Sequence, residues 1–227
     1  MESSPEPQPA GGTEYAAYLL IDDLLELQRP LTEGAHDELL CSIVHQAYEL
    51  WFKLMLHELA QVDAELRAGR PGGALTSLKR VVAIDRLLLS QLDVLETMGP
   101  EGFLEFRSPL APASGFQSRQ FREIERATAG LWPAFCTGAG MAEDDLDALA
   151  GLYRDHAEPV RALRHQVCEL LVDHDETIQR WRFHHTLMAA REIGSRPGTG
   201  GSRGVEYLRG TVDKRFFPQL WEVRVRL

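Results

Sequence analysis

Long apolar runs, paired cysteines and a basic surplus are all missing from this sequence, and each absence removes a class of function. No uninterrupted apolar stretch approaches the roughly 20 residues of a membrane-spanning helix. The opening residues, MESSPEPQPAGG, hold neither the basic nor the apolar segment of a secretory signal. Three cysteines among 227 residues (Cys41, Cys136 and Cys168) are odd in number and widely spaced, with no CxxC pair, so no disulfide framework is encoded. Basic residues number 24 against 34 acidic ones, giving a formal charge of −10. That sign opposes phosphate, so nucleic acid and anionic membrane surfaces are not expected as main partners. A soluble cytoplasmic protein is the default expectation.

Period-2 alternation is scarce as well, and no internal repeat occurs, so a sheet is not expected. Residues 1–12 are rich in Pro, Ser, Gly and Glu and read as a disordered tail. Residues 13–227 read as a single all-α domain. Leu19, Leu20, Leu24 and Leu27 suggest a short amphipathic helix ending before Pro30. A long helix is expected from His36 to Arg67, with Leu40, Val44, Trp51, Met55 and Leu59 at three- and four-residue steps. Arg70-Pro71-Gly72-Gly73 should end it, and a second helix should run from about Ala74 to Met98. Residues 99–120, with three Gly and three Pro, read as a loop, followed by a helix from Phe121 that fades at Gly130. Residues 131–142 read as another loop. Glu143 to Ile193 should form two helices with a break near His156 to Pro159.

Two histidines stand on apolar helix stripes. Cys41, His45, Tyr48 and Phe52 fall at i, i+4, i+7 and i+11, and Trp181, His185 and Met188 form a similar set. An imidazole on such a face is costly unless it is paired or used. Each could be a core histidine bonded to a carbonyl. Equally, two such histidines in an all-α protein suit a b-type haem, one as iron ligand and one as hydrogen-bonding group. His165 and Glu169 read as a solvated pair one turn apart. The single ExxH, Glu33–His36, lacks the twin that a di-iron bundle needs. Arg107 lies beside Phe103 and Phe106; its planar fork could grip a carboxylate, or simply stack on an aromatic ring. The Gly198-Thr199-Gly200-Gly201-Ser202 run is neither a P-loop nor a dinucleotide turn, leaving a mobile lid or a plain connector.

Five blocks carry a resemblance: YAAYLLIDDLLELQRPL; HDELL followed by HQAYELWFKLMLHEL; VLETMGPEGFLEFRSPLAPASGFQSRQFREIE; WRFHH followed by IGSRPGTGGSRGVEYL; and FFPQLW. In this order they resemble the tryptophan 2,3-dioxygenase family. The resemblance implies an all-helical haem b protein, a homotetramer with exchanged N-terminal segments. It inserts both atoms of O2 across the indole C2=C3 bond of L-tryptophan, or of a substituted tryptophan, to give an N-formylkynurenine. By motif position, His185 would be the haem ligand and His45 the distal histidine that accepts the indole N–H. Arg107 would hold the substrate carboxylate, Thr199 the amino-acid end, and Phe103 the indole. Ser114 and Trp181 would line the haem pocket, and Tyr15 and Tyr18 would reach a neighbour's site. Two departures are visible. Cys41 stands where the family usually has Phe, enlarging the distal pocket, and the stretch from about Gly130 to Asp173 is shorter than usual. The alternative implied by these departures is a haem monooxygenase that turns a tryptophan derivative such as β-methyltryptophan into a 2-oxindole.

Overall fold

The computed structural model describes residues 14–227; the expected tail at 1–12 lies outside them. Among the described residues every regular element is helical, and none is long and apolar enough to cross a membrane. In chain order the α-helices are α1 (Tyr15–Leu19), α2 (Ile21–Leu25), α3 (His36–Arg67), α4 (Pro71–Leu95) and α5 (Pro100–Leu110). They continue with α6 (Arg119–Ala139), α7 (Leu146–Arg154), α8 (Pro159–Ile193), α9 (Val205–Arg209) and α10 (Pro218–Glu222).

Proline explains three departures from the sequence reading. Pro71 and Pro100 occupy the first turn of α4 and α5, where a missing N–H costs nothing and the fixed φ suits a helix. The Pro-Gly-Gly run therefore opens α4 rather than merely ending α3, and most of the stretch expected to be a loop at 99–120 is the helix α5. Pro133 sits inside α6, which continues to a left-handed cap at Gly140 instead of fading at Gly130. The loop expected at 131–142 is thus reduced to the few residues after Ala139. The break before Pro159 is as expected: Glu158 caps α8 by accepting the N–H groups of Val160 (3.1 Å) and Arg161 (3.0 Å).

Four long helices form the body. α3 packs against both α4 and α6, and α4 packs against α8. Their facing stripes supply the core, with Met55, Leu59 and Val62 from α3, Leu78 and Val81 from α4, Leu131 from α6, and Val167 and Leu171 from α8, all fully buried. Each such side chain contributes about 1.5–3 kcal/mol by leaving water. Close approach of α6 to the end of α3 requires Gly138, since a Cβ there would collide with the Leu66 carbonyl oxygen. The C-terminal tail returns to this body. Asp175 of α8 accepts hydrogen bonds from the Phe216 N–H (3.0 Å) and the Trp221 indole N–H (2.9 Å), seating Phe217 and Leu220 in the core.

A buried polar relay crosses the bundle. His174 Nδ1 of α8 lies 2.6 Å from Asp85 Oδ2 of α4, and its Nε2 lies 3.0 Å from the Thr128 hydroxyl of α6. All three side chains are shut off from solvent. The expected solvated pair His165–Glu169 is not formed as such. Glu169 instead accepts from the Tyr153 hydroxyl and from Arg224 (2.7 Å), while His165 stacks on His156 with ring centres 4.3 Å apart.

Candidate active site

The two singled-out histidines stand on α3 and α8, near enough for His45 to act on His185 through its charge. His45 is exposed, and its Nδ1 lies 2.8 Å from the Cys41 carbonyl oxygen. A carbonyl only accepts, so Nδ1 carries the proton and Nε2 keeps a free lone pair. The carbonyl bond of the core-histidine reading is therefore present, but it leaves the other nitrogen available. His185 is half-buried, and burial, with His45 adding to it, lowers its pKa to about 4. It is a neutral imidazole at physiological pH, the state a metal requires of a histidine ligand. Its neighbour His184 points elsewhere and lies 3.1 Å from Glu96.

Trp181 fixes the wall behind His185. Their ring centres are 5.0 Å apart, and the indole N–H donates to the Tyr48 hydroxyl at 3.1 Å. Tyr48 in turn donates to the Leu88 carbonyl of α4 at 2.5 Å, so one chain of hydrogen bonds ties α8 to α3 and α4. Sequence periodicity placed Tyr48 on the His45 stripe, but its partners were beyond reach of spacing.

The other grouping joins the end of α5 and the turn after it to the segment beyond α8. Arg107 lies in the last turn of α5 and donates to the Pro197 carbonyl, beyond the end of α8. Its Nε is buried without a partner, so the guanidinium keeps a bare donor. Phe103, one turn earlier, is half-buried and meets Phe106 edge-on at 5.4 Å. Thr199 donates its hydroxyl proton to the Ala113 carbonyl at 2.6 Å. Ser114, next along, caps a 3₁₀ turn at Gly115–Gln117 and packs against Gly200, where a Cβ would come within 2.7 Å of the Ser114 Cβ. Arg107, Ser114 and Thr199 are thereby brought together from two chain segments. Tyr15 and Tyr18 are not; α1 and α2 bury no residue, and the two rings are 76% and 74% exposed.

Cys41 is half-buried, with its Sγ 3.7 Å from His45 Nδ1. Burial, then the charges of Glu192 and Glu38, push its thiol up to about 11, so it is not a thiolate nucleophile. Glu192 was not singled out in the sequence, although it falls seven residues after His185 on the same helix face.

Comparison with known proteins places the chain in a family. The sequence pattern of the tryptophan 2,3-dioxygenase family matches residues 2–130 and 147–227. A tryptophan 2,3-dioxygenase of Anaeromyxobacter sp. (strain K) is 42% identical, over 92% of this chain and 94% of its own. That of Herpetosiphon aurantiacus is 39% identical, over 94% and 98%, and that of Bacillus anthracis 34%, over 94% and 92%. The first alignment spans 251 positions against the 227 residues present here, so this relative carries residues that this chain lacks. By both pattern and identity, the chain belongs to the tryptophan 2,3-dioxygenase family.

Proposed function

We propose that this protein is a haem-dependent oxygenase that converts L-tryptophan, or a substituted tryptophan, to the corresponding N-formylkynurenine. The observation that carries this reading is the pair of histidines on α3 and α8, one neutral with a pKa near 4 and the other with Nε2 bare. A neutral imidazole in an apolar wall, braced by Trp181, fits haem b as its ligand His185. Ser114 would stand at the haem edge. When bound, the haem supplies activation of dioxygen towards the closed-shell indole.

The chain's own residues do the rest. Arg107 offers its unpartnered Nε, with the rest of its fork, to the substrate carboxylate. The Thr199 proton is already given to Ala113, so its oxygen accepts, which suits the α-ammonium. His45 Nε2 accepts the indole N–H, and Phe103 packs on the ring. Two anchors at opposite ends of the substrate fix the C2=C3 bond in one place, so that positioning supplies much of the rate. Arg107→Ala is expected to raise KM for tryptophan at least tenfold, because a buried carboxylate loses its charged partner. Steady-state kinetics check this, and an unchanged KM would move the carboxylate site elsewhere.

The assembly proposed is a homotetramer in which α1 and α2 cross to a neighbour. The exposed Tyr15, Tyr18, Leu20, Leu25 and Leu27 on this segment support it. The free cysteines suit the cytoplasm. A core continuous from α3 to the tail at Val223 supports a single domain.

The test is a single turnover of the ferrous, haem-loaded protein with tryptophan and labelled dioxygen, read by mass spectrometry. Two labelled atoms in a ring-opened product are expected. One labelled atom in a ring-closed oxindole would overturn the dioxygenase reading.

A further inference from the structure

Glu192 is buried at the edge of this site with nothing to bind. Its side chain is 8% exposed, and Oε1 is buried without a hydrogen-bond partner. Burial, reinforced by Glu96 and opposed by Arg191, pushes its carboxyl up to about 7. It lines a cavity of about 330 Å³ between the end of α4, the start of α5 and α8, with Met98, Pro100 and Met188 as apolar walls. The other charged groups there are already paired. Glu96 lies 3.1 Å from His184 Nε2 and accepts from Arg191 (3.2 Å). Cys41 is within electrostatic reach of Glu192, and its Sγ lies 3.7 Å from His45 Nδ1. Two turns of α8 separate Glu192 from His185, and one turn of α3 separates Cys41 from His45. On the cavity wall Met188 stands one turn beyond His185 and Pro100 one turn before Phe103, so the cavity flanks the site.

A bare buried acceptor is costly unless a ligand brings a donor to it. A carboxyl poised near neutrality suits a neutral donor better than a permanent cation. We propose that Glu192 is a specificity-determining residue that accepts a hydrogen bond from a hydroxyl group on the indole ring of the substrate. This rests on the oxygenase reading above and narrows its substrate class to hydroxylated tryptophans.

The experiment compares haem-loaded wild type, Glu192→Leu and Glu192→Gln on L-tryptophan and on its 4-, 5-, 6- and 7-hydroxy and matching methyl derivatives. Both kcat/KM and anaerobic equilibrium binding by calorimetry are measured, with circular dichroism to verify folding. At one ring position the hydroxyl is expected to outperform the methyl group by about tenfold in wild type, as one buried hydrogen bond would give. In Glu192→Leu that ratio should fall to near one, and Glu192→Gln, which keeps an acceptor, should restore part of it. A ratio near one at every position in wild type, or a preference that survives in Glu192→Leu, overturns the proposal while tryptophan turnover leaves the oxygenase reading standing. Failure of the wild type to bind or turn over any of these indoles overturns both.

Discussion

His174→Leu alone is expected to destabilise the fold by about 3–5 kcal/mol, the usual penalty for leaving one member of a buried ion pair without the other. His174 joins α8 to Asp85 of α4 at 2.6 Å and to Thr128 of α6 at 3.0 Å, and water reaches none of the three. Burial works against the charged imidazole, but the Asp85 carboxylate overrides it, and the net effect is to raise the His174 pKa above 6.5. The His174 contribution is therefore complete just below pH 6.5 and fades as the pH rises through the folded value. Burial raises the Asp85 pKa, so the pair is lost again at acid pH as Asp85 takes up a proton. Asp85 has its second oxygen, Oδ1, buried without a partner, so the relay is only partly satisfied. Replacing both members with apolar residues of similar summed volume, His174→Leu with Asp85→Ala, should then cost far less than His174→Leu alone. Urea unfolding followed by far-ultraviolet circular dichroism measures both variants. A single variant that loses under 1 kcal/mol, or a double that loses more than the single, would show that the relay is not a coupled unit.

His185→Ala should abolish stoichiometric haem binding while leaving the fold in place. The residue contributes a half-buried ring at the end of the bundle, away from the fully buried core of Met55, Leu59 and Leu78. His184 is held by Glu96 and Cys41 keeps its proton up to about pH 11, which leaves only His45 Nε2, on the α3 side of the site, as a weaker substitute. Haem titration followed by the Soret band should show weak, non-saturating uptake, with the circular dichroism spectrum of wild type. Full occupancy at one haem per chain would refute the assignment of the ligand.

Sequence periodicity was sufficient for the bundle because α3, α4 and α8 bury stripes with a clear 3.6-residue repeat. It failed where proline and glycine were taken only as breakers. Pro100 starts α5, and Pro133 is tolerated inside α6. Arg107 was consequently assigned to a loop when it belongs to the final turn of a helix. The candidate histidines and Arg107 were legible, as residue types at odds with their surroundings or as parts of a motif. The relay of Asp85 and His174 was not. Its members stand 89 residues apart, and only packing reveals that two charged side chains share one dry space. Glu192 lay between these cases, since its spacing from His185 was visible but its missing partner was not.

The packing of Gly200 on Ser114 constrains how this protein can evolve. The two positions belong to loops 86 residues apart in sequence, yet any side chain gained at 200 would bring its Cβ within 2.7 Å of the Ser114 Cβ. Ser114 offers little to give up in exchange, being only one oxygen larger than alanine. A residue larger than glycine at 200 is therefore accommodated only if the loop at 114 shifts with it. Novelty in substrate choice has a freer route along the α3–α8 face, where Cys41 and Glu192 can vary without disturbing that junction.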